Sequence, residues 1–175
     1  MVALSSSFDE LPSSSAVPVG IAQMVISRDP RETLAAYGLG SCVGIAVYDP
    51  TAHVAGMLHI LLPEPAGAIT EANKLRFAKT GIPLFIKAVE NNGGMRSRMR
   101  IVAAGGALTL GKLSVMGPAG PIGKRNSDAV TLALQEEGLK LDTFDFGGSA
   151  GRTLTLATAT GKVFCRSVGS VPKEL

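Results

Sequence analysis

From Val19 to Val168 the chain alternates between apolar, β-branched runs and short polar breaks rich in glycine and proline, a pattern that predicts strands joined by tight turns. Val19 to Ile26 predicts a first strand and Thr33 to Gly38 a second. Val43–Tyr48 and Val54–Leu62 form the clearest pair, flanking Asp49-Pro50-Thr51-Ala52, a turn tetrad with proline preset at its second position. The period then changes. Leu75, Phe77, Ala78, Ile82, Phe85, Ile86 and Val89 recur mostly at spacings of three and four, so Asn73 to Val89 predicts an amphipathic helix, ended by Asn91-Asn92-Gly93-Gly94. Pro83 requires that this helix either begin near Thr80 or kink. Met99 to Ala104 predicts an interior strand closed by Gly105-Gly106, and Gly117 to Gly123 a loop. Asn126 suits the N-cap of a second helix with Asp128 in its first turn, Val130, Ala133 and Leu134 on one face, and Gly138 as its stop. Leu139–Phe146 is a further strand, and Arg152–Thr158 pairs with Lys162–Val168 around Ala159-Thr160-Gly161. Seven or eight strands and two helices in mixed order define an α+β layered fold rather than a βαβ repeat.

Length and composition narrow the picture. The 175 residues fit one domain. Residues 1–15 contain six serines and read as a disordered tail, leaving 16–175 as the folded domain. Glycine accounts for 21 residues, well above the usual share of about 7%, as expected for many tight turns. A net charge of +3 is a weak field, aromatic residues are 5% and tryptophan is absent, so nucleic acid is not an expected partner. No apolar run reaches the roughly 18–20 residues that cross a bilayer, and the N-terminus lacks the pattern of a signal peptide, so a cytoplasmic protein without membrane insertion is expected. The two cysteines and two histidines, Cys42, Cys165, His53 and His59, show no zinc-ligand spacing, and no metal is expected.

Candidate chemistry centres on Gly38-Leu39-Gly40-Ser41-Cys42. The third glycine of a dinucleotide fingerprint would fall at Val43 and a strand follows instead of a helix; a phosphate loop would need a Lys-Ser/Thr pair that is missing. The segment offers a cysteine at the start of a strand, preceded by glycines that let backbone N–H groups point inward, where they could stabilise an oxyanion. If Asp49 and Ala52 flank a two-residue turn, paired positions sum to about 101 and Cys42 opposes His59; a bulge or longer turn moves the partner to Ile60 or Leu58. A thiol beside an imidazole is how a nucleophilic thiolate is made near neutral pH. A cysteine in an apolar strand is as often mere packing, and Cys165 is read that way; His53 is read as a solvated turn residue.

These residues resemble a family. Gly38-Leu39-Gly40-Ser41-Cys42, Asp49-Pro50, Leu58-His59 and Leu62-Pro63 are similar to the signature of the CheD chemoreceptor glutamine deamidases. Gly105-Gly106-Ala107, Ile122-Gly123-Lys124-Arg125-Asn126, Asp145-Phe146-Gly147-Gly148 with Arg152, and Thr160-Gly161-Lys162 follow in the family's order. The resemblance implies an α/β/β/α-type sandwich of mixed sheets with two main helices. It implies a cofactor-free cysteine amidohydrolase that converts receptor glutamines to glutamate through a thioester. Cys42 is then the nucleophile, His59 the base and later the acid, and the backbone N–H groups of Gly40, Ser41 and Cys42 supply the oxyanion hole. Tyr37, Arg152, Gly147 and Gly148 are candidate substrate contacts, with a strand aromatic, an exposed charge and turn formers as their plainer readings. The implied partners are methyl-accepting chemoreceptors and, in some systems, a CheC-type phosphatase. The family places a threonine six residues before the nucleophile. Here that position is Ala36, which cannot accept the imidazole N–H, and Thr33 is three residues away on a strand and so faces the other side. A backbone carbonyl or a water is then left to orient His59, and the alternative is a CheD-like module that binds receptors or the phosphatase with little or no catalysis.

Overall fold

A computed structural model of the protein describes residues 15–108, 116–117 and 120–175, so residues 1–14 of the tail expected over 1–15 lie outside the described residues, and Ser15 opens the first strand. In chain order the strands are β1 (Ser15–Pro18), β2 (Met24–Ser27), β3 (Glu32–Leu39), β4 (Val43–Asp49), β5 (Val54–Ile60), β6 (Arg100–Gly105), β7 (Met116–Gly117), β8 (Gly120–Pro121), β9 (Thr143–Phe146), β10 (Arg152–Ala157), β11 (Val163–Ser167) and β12 (Lys173–Glu174). The helices are α1 (Ala78–Asn91) and α2 (Ile122–Glu136). One mixed sheet runs β1-β3-β10-β11-β12 and the other β2-β5-β4-β6-β9, while β7 and β8 pair separately. The expected α+β fold of two helices and mixed sheets is therefore what forms.

The β4 pattern explains the layering. Val43, Ile45 and Val47 pack with Phe85, Ile86, Val130 and Leu134 of the two helices. The alternate residues, Ala46 and Tyr48, pack with Leu34, Ala36, Leu154 and Leu156 of the opposite sheet. Period-two alternation puts those two sets on opposite faces, so the second sheet is buried on both sides. This is why all seven β4 and all seven β5 residues are buried. Both helices lie on the same face of that sheet, in contact with one another.

Three sequence expectations shift. The first strand breaks in two: Gln23 N–H bonds the Gly20 carbonyl and Ala22 has φ 58°, so the chain turns and passes from one sheet to the other. α1 starts at Ala78, before Thr80, with Pro83 one turn inside it. α2 starts four residues before Asn126, which is an interior helix residue rather than a cap. Gly123 permits this early start, because a Cβ there would stand 2.5 Å from the Gly106 carbonyl oxygen.

The β4–β5 connection also differs. Asp49 pairs with Val54, leaving a four-residue loop in which His53 has φ 52° and is exposed. The Asp49 carboxylate causes this by accepting the Thr51 and Ala52 N–H groups at 2.9 and 3.0 Å. It also accepts Met95 N–H at 2.8 Å and two nitrogens of Arg98 at 2.8–3.1 Å, which hold it well below the usual carboxylate range. Asp49 is buried while Arg98 is partly exposed, so removing Arg98 takes the cation from a buried carboxylate, which is destabilising. Because three N–H donors remain to the carboxylate, Arg98→Ala is expected to lower stability without unfolding the chain, read as a fall in the urea midpoint; an unchanged midpoint would refute that role.

Candidate active site

The register sets the site. Pairing runs Val43 with Ile60 and Gly44 with His59, so paired positions are displaced by two residues from the expected register. Cys42 does not oppose His59 directly. Because the displacement is even, both side chains still point to the inter-sheet face, on a diagonal across Gly44. Gly44 has no side chain to separate them, and Leu39 and Leu154 pack over it. Cys42 is 8% exposed and His59 2%.

His59 Nδ1 lies 3.2 Å from the Val19 carbonyl oxygen. A carbonyl only accepts, so Nδ1 carries the proton and Nε2 presents its lone pair. Nε2 is buried and makes no hydrogen bond, to the Cys42 thiol or to any other described group. The orienting role that Ala36 cannot fill is thus met by a backbone carbonyl. Burial lowers the His59 pKa below its ordinary value, partly offset by the Val19 bond, and burial raises the Cys42 thiol, partly offset by its own backbone N–H. The resting pair is neutral thiol and neutral imidazole.

The loop before Cys42 is held on several sides. Gly106 N–H donates to Cys42 O and Ala107 N–H to Gly40 O, both at 2.8 Å. Gly105 has φ 127°, and a Cβ there would lie 2.1 Å from the Cys42 carbonyl oxygen. Asn126 Nδ2 donates to Ser41 O at 2.8 Å. Gly40 N–H is engaged with Gly38 O at 2.9 Å, whereas among the described residues the N–H groups of Ser41 and Cys42 take no part in the bonds that fix the loop.

The remaining candidates separate. Tyr37 is 52% exposed on β3. Arg152 is neither an exposed charge nor a free anion binder: it is 8% exposed, and its guanidinium is bonded to Asp145 Oδ1 at 2.7 Å and to the Gly147 and Ala150 carbonyls. Gly147 and Gly148, at φ 82° and 67°, are turn formers whose loop is tied back through Gly147 N–H to Gly105 O and Leu108 N–H to Gly148 O. Arg152 therefore braces the loop that braces Gly105. Cys165 is buried in the inter-sheet core, its thiol raised by burial. Among the described residues no group of three or more His, Cys, Asp and Glu side chains could hold a metal ion, and no helix is long and apolar enough to cross a membrane.

Sequence reasoning missed Val19, since any residue supplies a carbonyl and nothing in the sequence marks it. It also missed the contact of Gly105 with Cys42, for which the Gly-Gly pair ending an apolar strand was the available signal.

Fold and site define a class: an α+β sandwich that buries one cysteine and one histidine on the same face of adjacent strands, behind a glycine-rich loop. A family model described as "CheD chemotactic sensory transduction" matches residues 61–167. That span begins just after His59, but the similar full-length proteins extend across both site residues. A "Probable chemoreceptor glutamine deamidase CheD" of Symbiobacterium thermophilum is 40% identical over 158 residues, covering 90% of this chain and 95% of that one. Proteins of the same description from Desulforamulus reducens and Clostridium botulinum are 38% and 39% identical, covering 91% and 87% of this chain and 95% and 93% of theirs. The chain belongs to the CheD family. A remote likeness to the solved Bacillus licheniformis hypothetical protein YfiH has a TM-score of 0.38 at 15% identity, covering 72% of this chain and 49% of that one.

Proposed function

We propose that the protein is a cytoplasmic protein-glutamine deamidase of bacterial chemotaxis, converting glutamine side chains of methyl-accepting chemoreceptors to glutamate. The observation that carries this reading is the buried Cys42–His59 face, with Nε2 left as a free lone pair by the Val19 bond. Family membership at close to full length supports it.

The chemistry follows from the resting protonation. His59 Nε2 takes the proton of the Cys42 thiol as the sulfur attacks the side-chain carbonyl carbon of the glutamine. The carbonyl π pair moves to oxygen, and the N–H groups of Ser41 and Cys42 receive that charge. As the tetrahedral intermediate collapses, the C–N bond breaks and His59 returns the proton to the departing ammonia, leaving a thioester. Water, deprotonated by the same Nε2, then attacks the thioester; the C–S bond breaks and the thiol regains its proton. The net change is glutamine plus water to glutamate plus ammonia, and no cofactor enters. Exposed Tyr37 is the candidate for contact with the receptor surface.

A second reading is favoured by two observations. Ala36 stands where the family has threonine, and thiol and imidazole are not hydrogen-bonded at rest. It makes the chain a receptor- or CheC-type-phosphatase-binding module of little activity. Catalytic hydrogen bonds often tighten only when substrate is bound, and Val19 orients the ring, so the enzyme reading stands ahead. Mass spectrometry of a glutamine-bearing chemoreceptor cytoplasmic fragment incubated with the protein separates the two. A gain of about one dalton per modified site supports the deamidase; binding without any gain supports the module.

The depressed His59 pKa fixes a pH dependence. The base must be neutral, so the acid limb of kcat/KM is expected below pH 6.5, the ordinary imidazole value. Stability shares the sign: between pH 6.5 and the lower folded value the unfolded chain binds the extra proton, so stability falls as pH falls through that window. Urea denaturation of wild type and His59→Gln across this range reads it. A wild-type slope no steeper than that of His59→Gln would remove His59 as its source.

A further inference from the structure

Asn126 is fully buried as the fifth residue of α2. Its Nδ2 donates twice, to Ser41 O at 2.8 Å and to Leu61 O at 3.0 Å. Ser41 immediately precedes Cys42, and Leu61 lies two residues beyond His59. One amide thus ties the backbone beside the thiol to the backbone beyond the imidazole.

It does so where the sheet no longer can. The β4–β5 ladder ends at the Val43–Ile60 pair, and the N–H groups of Leu61 and Leu62 both turn away to the Arg76 carbonyl. Past that pair, nothing in the ladder holds the Cys42 loop at a set distance from the His59 strand. The reach of so short a side chain depends on α2 lying close. Gly123 allows this, since its missing Cβ would stand 2.5 and 2.6 Å from the Gly106 and Ala107 carbonyl oxygens.

The amide orientation is settled by its partners, because a flipped amide would set Oδ1 against two carbonyl oxygens. That choice leaves Oδ1 buried with no hydrogen-bond partner. Buried polar atoms are rarely left unsatisfied. Here the donor side of the amide is what the position requires, and the acceptor is left over.

We infer that Asn126 is a positioning residue, setting the placement of the Cys42 thiol against His59 Nε2 without touching substrate. The inference rests on the deamidase reading of that pair. A thiol moved by about an ångström loses on the order of 100-fold in rate. Asn126→Ala and Asn126→Ser are each expected to lower kcat roughly 30- to 100-fold, with KM within about twofold because no substrate contact is lost. The rate of iodoacetamide alkylation of Cys42 near neutral pH is expected to fall, since Nε2 is no longer placed to take the thiol proton as the sulfur attacks. Val130→Ala, one turn further along α2 in the apolar core, supplies a comparison that lowers the melting temperature but leaves kcat and the alkylation rate as in wild type.

A folded Asn126 variant with wild-type kcat and alkylation rate overturns the inference. So does Val130→Ala changing both measures as much, or both Asn126 variants failing to fold, which would assign the residue to stability alone. Alkylation needs no receptor and so is read independently of the deamidase reading, which instead fails if Cys42→Ala still deamidates.

Discussion

Replacing Cys42 with alanine is expected to lower deamidation of a chemoreceptor fragment by about 10⁴-fold or more, the scale seen when a covalent nucleophile is deleted. Stability should barely move. The thiol is a small group at the edge of the inter-sheet core, 8% exposed, and its loss leaves no polar partner unpaired. A change within about 1 kcal/mol corresponds to a melting shift of no more than about 4 °C in a chain of this size. Cys165→Ala is the internal comparison. It removes the other thiol, from the interior of the same core and 3% exposed, so it should cost more stability and leave turnover intact. The measurement is site-resolved mass change of the fragment, with calorimetry alongside. Full turnover by Cys42→Ala would remove Cys42 as the nucleophile and with it the thioester route. Turnover lost equally in Cys165→Ala would show that the assay reports folding rather than chemistry.

How much of this was legible beforehand depended on whether a feature follows from local pattern or from long-range approach. The α+β class follows from short apolar, β-branched runs such as Val43–Tyr48 bounded by turn residues, and from the change to helical spacing after Asn73, and both are local. The register missed by two because Asp49 was read only as the first residue of a turn. Its carboxylate, by capping Thr51 and Ala52 and reaching Met95 and Arg98, lengthens the loop, and those last two contacts are some 46 and 49 residues away in sequence. That Cys42 and His59 share a face survived the error because strand periodicity is two and the displacement was even. Arg152 was misjudged for a similar reason: its partners Asp145 and Gly147 are near in sequence, but only the folded loop shows that every bond of the guanidinium is spent there. Asn126 was read as a cap because Asn so often is one. Only the closeness of α2 to the Gly105-Gly106 turn reveals it as a brace.

Two glycines are equally tight, and comparing them tests whether the Cys42 loop is held for chemistry or only for stability. A Cβ on Gly105 would meet the Cys42 carbonyl oxygen at 2.1 Å, and one on Gly161 the Tyr48 ring, also at 2.1 Å. Both glycines have positive φ, 127° and 71°. Alanine at either is therefore strained in its backbone and crowded at its side chain, and each variant is expected to lose about 3 kcal/mol of stability. Their effects on catalysis should part. Tyr48 sits six residues along β4 from Cys42, roughly 20 Å away at strand rise, so Gly161→Ala repacks the far end of the sandwich and kcat should stay within about twofold. Gly105→Ala can relieve its contact only by moving the Cys42 carbonyl or its own strand. Either movement breaks the Gly106–Cys42 hydrogen bond and carries the thiol away from Nε2. On the proposed mechanism, a displacement of about an ångström at the Cys42 thiol predicts a loss near 100-fold in kcat, measured below the melting temperature so that only folded protein contributes. Equal kcat in the two variants would mean that the geometry at Cys42 tolerates movement, and that Gly105 matters to this protein only as Gly161 does, through the stability of the fold.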